Sequence, residues 1–427
     1  MSPKGAQARN APLKRATEAL HRNLTPFILD AQMPRRDLHL RLGQLRATTV
    51  ALALLALVAA GCSHSGAPAP DEIRIGHYAS LTGSQATFGQ STDNGIRLAV
   101  EAINQSGGVH GKKIRLITYD DRGDAKEAGT AVTRLINRDQ VAAVLGEVAS
   151  GLSLAGAPVC QENGVPMVTP SSTAPEITAV GDRIFRVCFM SGFQAYACAK
   201  FSREQLKAQT AAILYDQKLP YSVGLADEFE KQFTARGGRI STRLSYQEGD
   251  QDYSAQLTSI RSSKPDIVFV PGYYTDVANI AVQARKLGIR VPLVGGDGWD
   301  SAKLAEIGGK AIDGCYFCTH YFQQDPRPRV QEFLRNYRQE FGTAPDAMAA
   351  LGFDAANILF AAIERAPSQS GGDVAAALAG TKNFDGVTGR ISIDKERNAV
   401  KPAVILEMKD GVPTRAATID PPSTSSP

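Results

Sequence analysis

The chain has 427 residues, 43% of them hydrophobic and 21% charged, which is the balance of a soluble globular protein and excludes a disordered or membrane-embedded chain. Its length exceeds what one hydrophobic core usually holds, so at least two domains are expected. The formal charge of +4 is concentrated at one end. Residues 1–61 carry nine Lys/Arg against three Asp/Glu, and the remainder has 38 basic against 40 acidic residues, with no basic block to serve as a nucleic-acid surface.

The basic excess belongs to a leader. Arg35, Arg36, Arg41 and Arg46 precede an apolar run from Val50 to Ala60, followed by Gly61-Cys62. Eleven apolar residues fall short of the roughly 20 that span a bilayer, but they fit the h-region of a secretory signal. The sequence LVAAGC resembles a bacterial lipoprotein box, in which the cysteine (here Cys62) is lipidated and becomes the mature N-terminus. Ala59 stands where that box more often has Leu, so simple cleavage near Ala60 stays open. Residues 1–61 are expected to be leader, with Met33 as an alternative start, and residues 62–71, including SHSGAPAP, an anchor and flexible tether. This places the protein in the periplasm or cell envelope, touching the membrane through the anchor.

From Asp71 the pattern is regular. Ile73–Tyr78 predicts a strand, Gly89–Asn104 a helix stopped by Ser106-Gly107-Gly108, Ile114–Tyr119 a strand, Asp120-Asp121 the lead into a helix through Arg138, and Val141–Gly146 a third strand. A second series follows from Ser191. Thr210–Tyr215, Arg239–Ser245, Asp266–Val270 and Val291–Val294 read as strands, and Val223–Arg236, Tyr253–Arg261 and Asp276–Leu287 as helices. Strands alternating with helices predict βαβ units and parallel sheets, and near-continuous apolar strands such as VAAVLG fit burial on both faces. Two series predict two similar lobes. Helical patterns at Arg329–Phe341 and Met348–Ala366 look suited to return to the first lobe, and strands at Gly389–Ile393 and Ala403–Met408 to complete the second. The expected division is 72–191 with 321–386 in lobe 1, 192–320 with 387–412 in lobe 2, and a disordered tail over 413–427, rich in Pro and Ser.

The stretch Gly146–Glu176 carries the first functional signal. It reads strand, helix, strand, turn, and the polar loops Ala149-Ser150-Gly151 and Ser171-Ser172-Thr173 leave its two strand ends. In open α/β sheets ligands bind beyond the carboxyl ends of strands, where helix N-termini offer free N–H groups. Hydroxyls without Lys or Arg suit a small neutral or zwitterionic ligand bearing one carboxylate. Thr173-Ala-Pro-Glu176 also forms a capping-box pattern, and one hydroxyl can both cap and bind.

Other chemistries lack their signatures. After Cys62, the five cysteines Cys160, Cys188, Cys198, Cys315 and Cys318 are an odd number in a chain too long for a disulfide scaffold. Cys315 and Cys318 sit on a strand-like segment, and buried single thiols are expected. No second Cys or His pair has zinc spacing, so neither metal nor other cofactor is expected. GLSLA at Gly151–Ala155 fails as a nucleophile elbow, Gly151-Leu152 fails as a P-loop, and no Gly-x-Gly-x-x-Gly opens either series. The chain is therefore expected not to be an enzyme, with a hydrolase on this fold the remote alternative. His64, His77, His110 and His320 form no triad or ligand spacing and read as surface or packed histidines.

IGHYASLTGSQATFGQSTDNGIRLAVEAINQSGGVHGKKIRLITYDD, VTPSSTAPEIT, QDYSAQLTSIRSSKPDIVFVPGYYTD, VGGDGWDS, GFDAANIL and GVTGRISID resemble, in this order, the substrate-binding proteins of branched-chain amino acid ABC transporters. The resemblance covers about residues 72–410. It implies an α/β fold of two Rossmann-like lobes with parallel-type sheets, joined by a multi-strand hinge: a type I periplasmic binding protein. It implies capture of a small amino acid or related carboxylate in a hinged cleft, delivery to an ABC permease, and action as a monomer. A ligand sensor docking to a membrane receptor or kinase is the alternative role. By the family's pattern Ser150, Ser171 and Thr173 meet the ligand carboxylate, Asp297 pairs with the α-ammonium, and Tyr221 and Tyr273 come from the second lobe. Phe88 matches an aromatic lining position where leucine-type binders often have Tyr. Asp297 stands where some members have the longer Glu, and Gly123 and Ala149 occupy the positions of a disulfide found in some relatives. Trp299, the only tryptophan, either lines the cleft or packs beneath it.

Overall fold

The computed structural model describes residues 72–422; the leader, Cys62, the tether and the last five residues of the expected tail lie outside the described residues. The first series builds β1 (Glu72–Ala79), α1 (Ala86–Gln105), β2 (Lys113–Asp120), α2 (Ala125–Asn137), β3 (Ala143–Leu145), α3 (Ser150–Glu162), β4 (Met167–Thr169), the short α4 (Glu176–Ala179) and β5 (Ile184–Arg186). Its strands form an all-parallel sheet in the order β2-β1-β3-β4-β5. The short strands β3, β4 and β5 are buried at every position, as burial on both faces requires. Asp124, not Asp120-Asp121, caps α2, accepting from the Lys126 and Glu127 amides at 2.9 Å each. Asp120 instead holds the turn after β1, accepting from the Leu81 amide at 2.9 Å.

The second series builds α5 (Ser191–Glu204), β6 (Thr210–Asp216), α6 (Pro220–Ala235), β7 (Arg239–Tyr246), α7 (Ser254–Ser263), β8 (Ile267–Phe269), α8 (Tyr274–Lys286), β9 (Leu293–Gly295), a 3-10 turn (Asp297–Trp299), α9 (Ala302–Gly308) and β10 (Tyr316–Thr319). Three helices follow, α10 (Pro328–Phe341), α11 (Ala347–Arg365) and α12 (Gly371–Ala379), then β11 (Phe384–Gly386), β12 (Gly389–Ile393), β13 (Ala399–Val400), β14 (Ala403–Lys409) and β15 (Val412–Ile419). The second sheet runs β15-β14-β10-β9-β8-β6-β7, with β14 antiparallel to β10 and β15 antiparallel to β14.

Both sheets reverse their strand order near one edge, β1 lying between β2 and β3, and β6 between β7 and β8. Such a switch opens a crevice at the carboxyl strand ends, which is where the candidate residues fall. α11 returns to the first lobe. Leu351, Ala355, Leu359 and Ile363 join Ile75, Ala99, Leu145 and Phe185 in one buried cluster. This helix is long and apolar enough to cross a membrane, but it is largely buried inside the protein and serves as a core helix. It approaches α1 so closely that a Cβ on Gly95 would strike the Ala349 carbonyl oxygen, and one on Gly352 the Thr92 carbonyl oxygen.

Two expectations are corrected. Gly389–Ile393 does not complete the second sheet. It pairs with β11 and β13 in a separate three-stranded sheet, and its Ile391 and Ile393 are buried in the first lobe's cluster, where they add to the apolar packing around Leu351, Ala355 and Leu359. The tail is not disordered from 413. Val412–Ile419 hydrogen-bonds along β14 and buries Ile419, covering what would otherwise be a bare sheet edge.

Candidate functional site

On the first lobe, Ser150 opens α3 and is buried. The residue before it, Ala149, supplies no side-chain cap; the Leu152 and Ser153 amides donate to its carbonyl oxygen at 3.1 and 3.0 Å, which leaves those of Ser150 and Gly151 as the donors at the start of α3. Ser150 Oγ accepts from the Ala174 amide at 3.3 Å, which joins the two loops. Ser172 fastens them further: its hydroxyl reaches the Glu147 and Val148 carbonyl oxygens at 2.9 Å each and Ser153 Oγ at 2.7 Å. Ser171 is buried in the same turn. Thr173 does not cap the following helix, whose N-cap position is Pro175 without any side-chain bond. The proline displaces the helix start by two residues, and Thr173 Oγ1 is left buried with no hydrogen-bond partner among the described residues.

Beneath this loop lies a cation that the sequence reading passed over. Arg186, at the end of β5, is fully buried and donates to the Ser172 and Ala174 carbonyl oxygens at 2.7 Å each and to Thr178 Oγ1 at 3.3 Å. Its hydrogen bonds go to neutral oxygens, and burial lowers its pKa. A guanidinium behind the hydroxyl loop makes the loop electropositive without exposing a basic side chain. A second buried group is acidic. Glu147 Oε1 accepts from the Ser80 amide at 3.0 Å and from Ser80 Oγ at 3.1 Å, and Ser80 Oγ also lies 2.8 Å from Asp121 Oδ1. Burial raises the pKa of both acids, the Asp121 charge adding to the rise at Glu147 and those of Asp120 and Asp124 to the rise at Asp121.

The second lobe presents an aromatic and acidic surface. Tyr221, near the start of α6, stacks on Tyr273 with centroids 5.3 Å apart, and its hydroxyl accepts from the Gly298 amide at 3.1 Å. Tyr273, before α8, meets Phe88 of α1 edge-on at 5.5 Å, and Phe88 also meets Tyr274 at 4.9 Å. Burial keeps both phenols neutral by raising their pKa well above the ordinary value. Asp297 is 2% exposed; Oδ2 bonds His320 Nε2 at 3.0 Å, and Oδ1 has no partner among the described residues. Trp299 packs beneath this turn, fully buried, with Nε1 donating to the Val270 carbonyl oxygen at 2.9 Å.

The lobes touch across the cleft. The Tyr274 hydroxyl donates to the Ser84 carbonyl oxygen at 2.8 Å, Ser84 Oγ to Glu248 Oε1 at 2.9 Å, and Thr87 Oγ1 lies 3.0 Å from Ser301 Oγ. The contacts group Phe88, Tyr221, Tyr273 and the Asp297 turn on one side, and Ser150, Ser171 and Thr173 on the other. Sequence reasoning missed the residues between them. The Ser191 amide donates to the Thr173 carbonyl oxygen at 3.0 Å, while Ser191 Oγ is buried without a partner. One turn on, neither amide atom of the fully buried Gln194 has a partner, and its Oε1 lies 2.9 Å from where a Cβ on Gly296 would sit. Thr173, Ser191, Gln194 and Asp297 thus supply unpartnered buried polar atoms from neighbouring positions, a pattern buried groups otherwise avoid. Among the described residues no group of three or more His, Cys, Asp or Glu is placed to hold a metal, and the five described cysteines are free and buried.

The likeness to known proteins covers both lobes. Residues 72–412 match the model of the periplasmic binding protein family. A Leu/Ile/Val-binding protein homolog 3 of Brucella melitensis is 31% identical over 344 residues, 80% of this chain and 92% of that protein. The crystal structure of the leucine-binding protein LivK of Thermotoga maritima is 39% identical with a TM-score of 0.79, covering 82% of this chain and 99% of that one. The substrate-binding protein LivJ of Streptococcus pneumoniae, solved with isoleucine, is 31% identical with a TM-score of 0.77 over 82% of this chain and 99% of its own. These relatives are named for binding rather than for catalysis. The fold, the crevice between two parallel sheets and a match that runs through both lobes agree: the chain belongs to the periplasmic binding protein family.

Proposed function

We propose that this protein captures a small α-amino acid, or a related carboxylate, outside the cytoplasm and delivers it to an ABC permease. What supports this reading is that the two lobes carry opposite chemistries: a hydroxyl and amide edge at Ser150, Ser171 and Thr173 with the buried Arg186 behind it, and on the other lobe Asp297 with one oxygen unpartnered among the described residues. The first suits a carboxylate and the second an ammonium. Ligand docks on lobe 1, and closure adds Tyr221, Tyr273 and Asp297, so binding favours the closed state because only that state makes both sets of contacts. Phe88, Tyr221 and Tyr273 give the rest of the site an aromatic lining suited to an apolar side chain. The names of the similar proteins, which include leucine, isoleucine and valine binders, support a branched-chain side chain.

The LVAAGC sequence supports anchoring at the envelope through lipidated Cys62, and mass spectrometry of the mature N-terminus should find acyl chains there. A thermal-shift screen of amino acids, aromatic acids, amides and urea tests the ligand class, since a tight ligand raises the melting temperature by mass action. The largest shift is expected from an aliphatic amino acid. A best ligand without a carboxylate would remove the reading.

A further inference from the structure

Three segments carry the chain between the lobes: residues 187–190 lead from β5 to α5, residues 320–327 from β10 to α10, and residues 401–402 from β13 to β14. Phe189 of the first and His320 of the second pack beside Asp297, and the third holds a buried lysine, Lys401, whose charge reaches both His320 and Asp297. Phe189 stacks on the His320 ring, with centroids 3.7 Å apart and planes 24° apart. Lys401, 2% exposed, donates to Thr388 Oγ1 at 2.6 Å, and Asp354 accepts from the same hydroxyl at 2.7 Å. His320 itself is wholly enclosed. Its Nε2 meets Asp297 Oδ2, while Nδ1 has no partner among the described residues. An ionised carboxylate only accepts, so Nε2 carries the proton in this bond and Nδ1 does not.

We propose that His320 is a positioning residue for the ligand's ammonium: its Nε2–H fixes one oxygen of Asp297 so that the other is presented to the cleft, and it ties that carboxylate to two of the inter-lobe segments. The inference rests on Asp297 being the ammonium's partner. A lone aspartate rotates about its last bond and divides its charge among orientations; a donor on one oxygen removes that freedom before the ligand arrives. The groups facing the ring keep it a neutral donor. Burial, reinforced by the Lys401 charge, pushes its pKa down to about 4, outweighing the pull of Asp297. The donor therefore persists across the neutral range. Stacking on Phe189 holds the ring plane, so a change in the inter-lobe segments moves the carboxylate with it.

Calorimetry with L-leucine and with 4-methylpentanoate, which is leucine without its ammonium, tests this. His320→Phe keeps a flat ring against Phe189 and deletes the donor, and His320→Gln restores an N–H near the Nε2 position. His320→Phe should lower leucine affinity about 10–100-fold, the range for a hydrogen bond to a charged group, and leave 4-methylpentanoate little changed. His320→Gln should recover most of the loss. Retention of the wild-type preference for leucine by His320→Phe would overturn the proposal while leaving the amino-acid reading intact. A wild-type protein that does not prefer leucine over its ammonium-free analogue would overturn both. If His320→Phe does not fold, nitrogen NMR of the wild-type ring decides. The Nε2-protonated tautomer, with an Nε2 signal that moves on adding leucine, supports the proposal; the Nδ1-protonated tautomer or an unmoved signal refutes it.

Discussion

Asp297 is nearly inaccessible to solvent, yet one of its oxygens has no partner among the described residues, a costly arrangement unless a cation completes it. Asp297→Asn keeps the shape and removes the charge, so it should weaken amino-acid binding by about 100-fold or more by calorimetry, on the scale of losing a partner from a buried charge pair. His320 also sets a pH dependence of stability. Its folded pKa is pushed down to about 4 from an ordinary 6.5, so between these values the unfolded chain takes up a proton that the folded chain refuses. Its contribution is complete above about pH 6.5 and is lost as pH falls towards 4, a loss on the order of 3 kcal/mol. The melting temperature of His320→Gln should therefore fall less than that of wild type over this window, as scanning calorimetry would show. Ser150 and Thr173 were legible in the sequence because hydroxyls at strand ends stand out. Arg186, Gln194 and His320 were not, because each is isolated in sequence and gains its role from a partner far along the chain. The signal available for Arg186 was a lone cation in the apolar run IFRVCF, a residue type that is rarely buried unless paired.

Most helices and strands fell where periodicity placed them, and the failures share a cause. β12 shows the alternation of any half-buried strand and β15, VPTRAATI, shows none, and their partners β11 and β14 are set by which sheet edge or apolar face is still uncovered. That choice is a property of the assembled lobes, so no local pattern records it. Thr173 failed in a related way: the capping pattern was present, but the helix begins at Glu176, so the hydroxyl is left for another use. The contact between α1 and α11 makes an element-scale prediction. A methyl group on Gly95 would collide with backbone that cannot swing away as a side chain does. Gly95→Ala should cost about 1–3 kcal/mol, the range for overpacking a tight interior, and lower the denaturant midpoint without changing the ligand ranking.

Across the whole molecule, two α/β series predicted two lobes, and the parallel sheets follow from that alternation. What the sequence did not carry was how the lobes meet. One part of the seam is Phe88, whose ring touches both Tyr273 and Tyr274 of the other lobe. Two edge-on aromatic contacts of about 0.5–1.5 kcal/mol each are comparable to a modest bias between open and closed forms. Phe88→Ala should therefore enlarge the radius of gyration of the ligand-free protein in X-ray scattering, and saturating ligand should restore the compact value. The first lobe has a further property that follows from α11. Residues from β1 to β5 lay down a complete sheet early in the chain, but the helix that seals one face arrives only at Ala347–Arg365. Until that segment is available, Ile75, Leu145 and Phe185 are covered only in part, by residues such as Ile96 and Ala99 of α1, and the native packing of this face is incomplete. A lobe built this way completes its native packing only once most of the chain has been made. For a protein bound for the far side of a membrane, such an order of assembly favours a first lobe that is still incomplete while the chain is growing.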